Sequence, residues 1–295
     1  MSDLPIGQGH GISGRYAGLP DAFADLEKSK IVILPVPFDL TTTYQHGTNQ
    51  GPEALIEASR NMELYDIETQ SEVYKKGIYT ESPLQANSCE GLQLSLKEAV
   101  GWFLDRNKFV VTLGGEHSIS YAPIKAHAER FSNLSILQLD AHADLQDAYE
   151  GNPWSHASVM ARVIELPLSS VVAVGIRSMS EEELKNQKLT HTFFSHCLHD
   201  SDEWMEKAID LLSNNVYMTF DLDVFDSSIM PSTGTPEPGG LNWYQITKFL
   251  KLLNERKNLV GFDVVELCPS PHNLAPNYLA AKLVYKILSY KFKTE

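Results

Sequence analysis

The chain has few cysteines, and they are far apart. Cys89, Cys197 and Cys268 include no C-x-x-C pair, and such a sparse, odd-numbered set does not make a disulfide framework. This favours a reducing compartment, so we expect a cytoplasmic protein. The polar, glycine-rich start lacks the basic residues and apolar stretch of a signal peptide. Because no apolar run reaches transmembrane length, we expect no contact with a membrane.

Positive charge is also scarce. The chain has 24 Lys and Arg residues against 38 Asp and Glu residues, which gives a formal net charge of −14. That balance argues against a nucleic-acid partner, which would need a basic surface. It is compatible with a small cationic substrate, although an acidic protein without a cationic ligand is the more common case.

Short apolar runs alternate with amphipathic helical segments along the chain, and five runs stand out: 30–37, 109–113, 134–139, 216–220 and 259–265. Near-continuous apolar runs are typical of strands that are buried on both faces. Their alternation with helices predicts an α/β protein with a mostly parallel central sheet in three α/β/α layers. Sheets of this kind bind ligands at the carboxyl ends of their strands.

Side chains that bind metals well lie at those carboxyl ends. Asp140, His142 and Asp144 follow one run and would share one side of the strand if its extended geometry persists. Asp221 and Asp223 follow a second run. With His117, which comes after a third run, they make two imidazoles and four carboxylates. That is more than one tetrahedral zinc requires, and it suits two adjacent divalent cations. An oxygen-rich set without thiolate favours Mn(II).

Simpler explanations exist for each residue taken singly. An Asp at a strand end is more often a helix cap or a turn residue than a metal ligand. We also interpret Ser118 as the N-cap of a helix over 119–130. For all six residues together the simpler explanation is much less economical, because they fall at the same edge of the predicted sheet.

Several motifs, in this order along the chain, resemble those of the ureohydrolase (arginase/agmatinase) family. They are Gly114-Gly115-Glu116-His117-Ser118, Asp140-Ala141-His142-Ala143-Asp144, Ser155-His156-Ala157, Val174-Gly175-Ile176-Arg177-Ser178, Asp221-Leu222-Asp223-Val224-Phe225-Asp226, Gly234-Thr235-Pro236-Glu237-Pro238-Gly239-Gly240 and Asp263-Val264-Val265-Glu266. The resemblance covers nearly the whole chain. It implies an arginase-like fold in a single domain over residues 1–295, two Mn(II) ions per subunit, and a homo-oligomer, either a trimer or a hexamer.

The resemblance also implies a role for each matching position. Six residues would hold the metals: His117 and Asp144 the first, His142 and Asp223 the second, with Asp140 and Asp221 bridging both. Two such cations make hydroxide available near neutral pH, and Asp144 would help to orient it. His156 matches the proton-shuttle histidine, and Glu266 matches the glutamate that binds the guanidinium group. For each residue taken alone there is a simpler interpretation, in which His156 is a helix cap or a surface residue and Glu266 is a solvated residue.

The loop over 145–155 faces the far end of the substrate if the resemblance holds. Asp147 and Glu150 would repel a substrate carboxylate and attract an ammonium group, and the alternative for each acid taken alone is an ordinary solvated loop residue. The loop resembles that of agmatinases and predicts hydrolysis of agmatine to putrescine and urea. The alternatives are an arginase or another guanidino-acid ureohydrolase, a non-catalytic family member, and the deacetylase branch of the fold. The loop after Glu266 departs from the family pattern because it is short and lacks the usual acid.

Overall fold

In a computed structural model, which describes residues 14–293, eight strands form one parallel sheet. The strands are β1 Ile31–Val36, β2 Ile78–Thr80, β3 Phe109–Gly114, β4 Leu134–Leu139, β5 Ser170–Ile176, β6 His191–Phe194, β7 Asn215–Asp221 and β8 Asn258–Val265. Their order across the sheet is β2-β1-β3-β8-β7-β4-β5-β6, and every neighbouring pair is parallel. The predicted parallel sheet is therefore confirmed.

Helices cover both faces of this sheet. They are α1 Asp21–Ala24, α2 Gly51–Ser59, α3 Cys89–Leu104, α4 Tyr121–Arg130, α5 Val159–Val163, α6 Leu184–Gln187, α7 Glu203–Asp210, α8 Trp243–Arg256 and α9 Ala275–Lys291. Helices α3, α4 and α5 pack in sequence on one face, while α2, α9, α8 and α7 pack in sequence on the other. This is the three-layer arrangement that the sequence predicts. Among the described residues, no helix is long and apolar enough to span a bilayer.

The apolar runs are continuous because successive side chains enter different layers. In β1, Ile31 and Ile33 pack in the core beneath α2 and α9, whereas Val32 and Leu34 pack in the core beneath α3. Side chains alternate across a strand, so a strand that is covered twice needs an apolar residue at every position.

Two local features of the structure differ from what the sequence predicts. Strand β2, three residues at the edge of the sheet, has no corresponding run among those predicted as strands. Ser118 is not an N-cap, because α4 begins only at Tyr121, after a 3₁₀ turn over His117–Ser120. The Ser118 hydroxyl instead donates to Glu116 Oε1 at 2.5 Å, whereas an N-cap hydroxyl would accept a backbone N–H from the first turn of the helix.

The end of β5 brings the chain unusually close to β4. Gly175 has φ +100°, and a Cβ at this position would lie 2.8 Å from Asp140 O and 2.7 Å from Val224 Cγ2. Only glycine combines this backbone conformation with such a close approach. The contact matters because Asp140 is one of the six predicted metal ligands.

Candidate metal centre

The six predicted ligands converge at the carboxyl ends of β3, β4 and β7. His117 Nδ1 lies 3.1 Å from Asp140 Oδ2, 2.9 Å from Asp144 Oδ2 and 3.4 Å from Asp221 Oδ2. His142 Nδ1 lies 2.9 Å from Asp223 Oδ2 and 3.9 Å from Asp140 Oδ1. The sheet order explains this convergence, since β3, β8, β7 and β4 are neighbours at its centre.

The ligand atoms fall into two groups that have one residue in common. His117, Asp140 and Asp221 form one group, and Asp140, His142 and Asp223 form the other, with the ligand atoms of each group within 4.8 Å of one another. Asp140 turns Oδ2 toward the first histidine and Oδ1 toward the second. A carboxylate shared in this way is what two adjacent cations require.

The imidazole of His117 indicates a cation rather than a hydrogen-bonded network. Its Nε2 lies 2.8 Å from Thr219 Oγ1, whereas its buried Nδ1 has no hydrogen-bond partner although three carboxylates surround it. A ring nitrogen close to acceptors, but not in donating geometry, presents a lone pair, as a metal ligand does. The residues therefore fit a divalent metal.

Without a cation these carboxylates repel one another. Burial, followed by repulsion from Asp144 and Asp223, raises the pKa of Asp140 to about 7. Burial is the largest single effect on His142 and lowers its pKa, but the charge and hydrogen bond of Asp223, together with the charges of Asp140 and Asp144, outweigh burial and raise that pKa to about 10. Bound cations would compensate the negative charge and favour the ionised acids and neutral imidazoles that coordinate metals.

Backbone geometry corrects one detail of the sequence analysis. Asp140, His142 and Asp144 do not share one side of an extended strand, because β4 ends at Leu139 and Asp144 has φ +54°. Glu266, which follows β8, has φ +66°. Left-handed backbone is costly for residues other than glycine and concentrates at functional sites. At Asp144 this backbone conformation brings Oδ2 of the carboxylate to 2.9 Å from His117 Nδ1.

A cavity of about 180 Å³ opens beside the ligands. It is lined by Thr42, Thr43, His117, His142, Asp144, Tyr149, His156, Ala157, Asp221, Asp223, Gly234, Thr235 and Glu266. Glu266 Oε1 accepts the His117 backbone N–H at 2.7 Å. Burial, and then repulsion from Glu116, raises the pKa of Glu266 to about 8, so this carboxyl group would gain from a cationic partner. Grooves of about 620 and 540 Å³ elsewhere lack such a cluster.

The structure does not bring Asp147 and Glu150 to this cavity. The carboxylate of Asp147 pairs with Lys185 and accepts the Asn186 side-chain amide, and Glu150 lies in a tight turn with φ +49°. The loop instead presents Tyr149, whose ring meets that of His156 edge-on at a centroid distance of 5.8 Å. Acidic composition was therefore a poor guide to which residue of the loop faces inward.

Sequence reasoning also missed the segment before α2. Thr42 and Thr43 line the cavity, and Thr41 contacts His156. The signal available was a run of three threonines at positions 41–43, a pattern too common to indicate a site.

A different role applies to Arg177, whose guanidinium donates to backbone carbonyls that include Asp223 O and Glu237 O. It fixes the loops around the ligands rather than lining the cavity.

The parallel sheet and its two overlapping groups of ligand-type side chains define an α/β protein with a candidate metal centre. Comparisons with known proteins specify the family. The model of the arginase family matches residues 29–289, and on this evidence the chain belongs to the arginase family and is a ureohydrolase. The family resemblance seen in the sequence is confirmed.

Two curated relatives and one solved structure are similar over nearly their full length. The N(1)-aminopropylagmatine ureohydrolase of Synechocystis sp. is 35% identical, with 92% of each chain covered. The agmatinase of Pyrococcus horikoshii is 30% identical, with 90% of this chain and 93% of that one covered. The structure of an agmatine ureohydrolase of Thermoplasma volcanium matches with a TM-score of 0.85 at 29% identity, covering 92% of this chain and 93% of the other.

Proposed function

We propose that this ureohydrolase uses two Mn(II) ions to hydrolyse agmatine to putrescine and urea. One observation carries the proposal: two ligand groups share Asp140 beside the buried carboxyl group of Glu266. A second observation supports a substrate without a carboxylate. The described residues that line the cavity include no Lys or Arg, so an arginine carboxylate would find no cationic partner there.

The proposed roles follow from the chemistry of the reaction. His117, Asp140, His142, Asp144, Asp221 and Asp223 would hold the two cations, which supply a water that is acidic enough to react near neutral pH. Glu266 binds and orients the planar guanidinium. Asp144 accepts a hydrogen bond from the attacking water, whose oxygen adds to the guanidinium carbon. His156 takes up one proton from this water and delivers it to the alkyl nitrogen, and the bond between that nitrogen and the guanidinium carbon breaks. The remaining proton of the former water leaves the oxygen as urea forms and is taken up by the departing amine.

A second substrate is favoured by similarity. The Synechocystis relative that is named for N(1)-aminopropylagmatine is 35% identical, against 30% for the agmatinase of Pyrococcus horikoshii. The two compounds share the guanidinium and the butyl chain, and the longer one carries an aminopropyl group at its distal nitrogen. Tyr149 would meet this end of either substrate, because an aromatic ring contacts both methylenes and ammonium groups favourably.

Urea release by the Mn(II)-loaded protein tests both substrates. We expect kcat/KM for agmatine or its aminopropyl derivative to exceed that for arginine and 4-guanidinobutyrate by about 100-fold, since an unpaired charged group costs about 3 kcal/mol. The ratio of the kcat/KM values for agmatine and its aminopropyl derivative decides which of the two is the preferred substrate. Preference for either carboxylate-bearing compound would contradict the substrate assignment.

We also propose that residues 1–295 act as one domain in a cytoplasmic trimer or hexamer. The similarity to relatives over 90% or more of the chain supports the single domain, the sparse cysteines support the cytoplasm, and the assembly is carried over from the family resemblance alone. Light scattering on the purified protein measures the assembly directly, and a monomer or dimer would contradict this part of the proposal.

A further inference from the structure

One hydroxyl group, that of Thr41, contacts both the imidazole and the backbone of His156. Thr41 Oγ1 lies 3.1 Å from His156 Nδ1 and also accepts the His156 backbone N–H at 3.0 Å. The imidazole has two nitrogens, and in the neutral ring one of them carries the proton. The partner of Nδ1 therefore decides whether Nε2 can take up a proton.

The single proton of the Thr41 hydroxyl has two possible acceptors. One is His156 Nδ1, and the other is Glu116 Oε1 at 2.7 Å. If the hydroxyl donated to the imidazole, Nδ1 would be bare and Nε2 would carry the proton. If it donates to the carboxylate, Nδ1 must donate to the hydroxyl oxygen, and Nε2 is bare.

The surroundings of Glu116 decide between these two arrangements. Its side chain accepts the Thr41 backbone N–H at 2.7 Å through Oε2 and the Ser118 hydroxyl at 2.5 Å through Oε1. The residue is fully buried, so these donors come from the protein itself. A carboxylate is a stronger acceptor than a neutral imidazole, and the donors gathered here are those that a charged carboxylate collects.

We propose that Thr41, held by Glu116, is a positioning residue that keeps the proton of neutral His156 on Nδ1. Nε2 is then the proton-accepting nitrogen available to the cavity that His156 lines. The inference rests on the proposed function, in which His156 first takes up a proton and then delivers it to the leaving nitrogen. An imidazole held in the opposite tautomer could not take up that proton at Nε2.

Two substitutions at Thr41 distinguish the role of the hydroxyl group from an effect on folding. Thr41→Val loses the hydroxyl but retains the backbone N–H that binds Glu116, and Thr41→Ser retains both. We expect the valine variant to lower kcat by about tenfold or more with little change in KM, the scale of a misplaced acid–base group. The serine variant should stay within about threefold of the wild type. Wild-type turnover in the valine variant, or no recovery in the serine variant, would overturn the proposal.

A double-mutant cycle shows whether Thr41 acts through His156. In a His156→Ala background, Thr41→Val should change kcat by less than about twofold, because coupled residues are not additive. An equal loss in both backgrounds would assign Thr41 a purely structural role.

The tautomer itself can be measured without any turnover. Long-range ¹H–¹⁵N correlation on the full chain, labelled at histidine and loaded with diamagnetic zinc, reports which ring nitrogen is protonated at alkaline pH. His156→Ala assigns the signal. We expect Nδ1–H in the wild type and a gain of Nε2–H in Thr41→Val, whereas Nε2–H in the wild type would overturn the proposal. If no guanidine compound is hydrolysed, the proposed function fails, and this spectrum still decides the tautomer.

Discussion

Asp140 shows how a single residue can organise a site. Its Oδ1 accepts the His142 backbone N–H at 2.7 Å and its Oδ2 accepts the Gln138 side-chain amide at 2.8 Å, so both oxygens are fixed before any ligand binds. The residue is fully buried. A buried carboxylate that is already oriented toward two histidines loses little further freedom when cations bind.

Asp221→Ala should abolish metal binding and activity together. Asp221 lies 3.4 Å from His117 Nδ1, and its removal takes one of the few ligands from the first group. Metal content by elemental analysis and urea release measure the two effects. Asp147→Ala is a matched control, because this acid pairs with Lys185 outside the cavity and its loss should leave both within about threefold. Full metal content in Asp221→Ala would contradict its assignment.

His156→Ala should retain both metals and turn over slowly. The imidazole contacts Thr41 and Tyr149 but belongs to neither candidate ligand group. Loss of a general acid–base group lowers kcat by about 10²–10⁴. Elemental analysis at saturation, together with steady-state kinetics, checks this prediction, and loss of metal from the variant would show that the proton-transfer role is wrong.

Most of the candidate centre could be predicted from residue type and position. Six ligand-type side chains follow three apolar runs, and parallel strands bring those ends together. The left-handed backbone at Asp144 and Glu266 could not be predicted, because aspartate and glutamate do not require it. The role of Thr41 was hidden as well, since its contacts join segments that are distant along the chain.

At the scale of elements, the junction between β5 and β4 offers a sharp test. Gly175→Ala places a Cβ 2.8 Å from Asp140 O in a backbone conformation of φ +100°. We expect a loss of about 1–3 kcal/mol in the free energy of unfolding and weaker metal binding, because the clash displaces the residue that both ligand groups share. Denaturant unfolding and metal titration measure the two effects. Unchanged metal affinity would show that the contact between Gly175 and Asp140 does not influence the candidate metal site.

Two other glycines should respond in opposite directions to the same substitution. A Cβ on Gly261 in β8 would lie 2.4 Å from the ring of buried His127, so Gly261→Ala should cost about 1–3 kcal/mol of stability. Gly101 in α3 has nothing within 4 Å of its Cβ position. Gly101→Ala should stabilise by about 0.5–1 kcal/mol, since alanine favours helices. Denaturant midpoints of both variants check this pair.

The central strands were predictable because double burial forces a continuous apolar run. Strand β2 was not, since three residues at an edge carry too short a pattern. Helices α5 and α6 each follow directly on a 3₁₀ turn, over His156–Ser158 and Glu181–Glu183 respectively. Tertiary contacts, which periodicity does not encode, decide where such a turn becomes an α-helix.

For the whole molecule, we predict that the metal-free protein loses stability as pH rises. Burial raises the pKa of Asp140 to about 7 and that of Glu266 to about 8, while unfolded acids titrate near pH 4. Between about pH 4 and pH 8 the native state therefore binds more protons than the unfolded state. The contribution of these protons to the free energy of unfolding is complete below about pH 4 and is lost as pH rises through about 7 and 8. His142, with its pKa raised to about 10, acts in the same direction.

Thermal unfolding of the chelator-treated protein between about pH 5.5 and 8.5 measures this effect. The midpoint should fall with pH, and the increase on adding Mn(II) should grow with pH because the cations compete with protons for the same ligands. Asp223 contributes no slope over this range, because its pKa, lowered to about 2 through the charge of His142 despite its burial, makes stability depend on pH only below about pH 4. A midpoint of the metal-free protein that rises over this range would contradict the prediction.

The position of β8 in the sheet has a consequence for how the protein is made. A nascent chain that ends between Asp223 and Asn258 already carries all six candidate ligands, yet it lacks the strand that separates and joins β3 and β7. Translation at about 5–20 residues per second leaves this state in existence for a few seconds. During that time the candidate ligand that follows β3 is not held beside those at the ends of β4 and β7. The edges of β3 and β7 that β8 would cover are free to pair with other strands. Premature termination there would yield a product that keeps every ligand and still cannot assemble the centre.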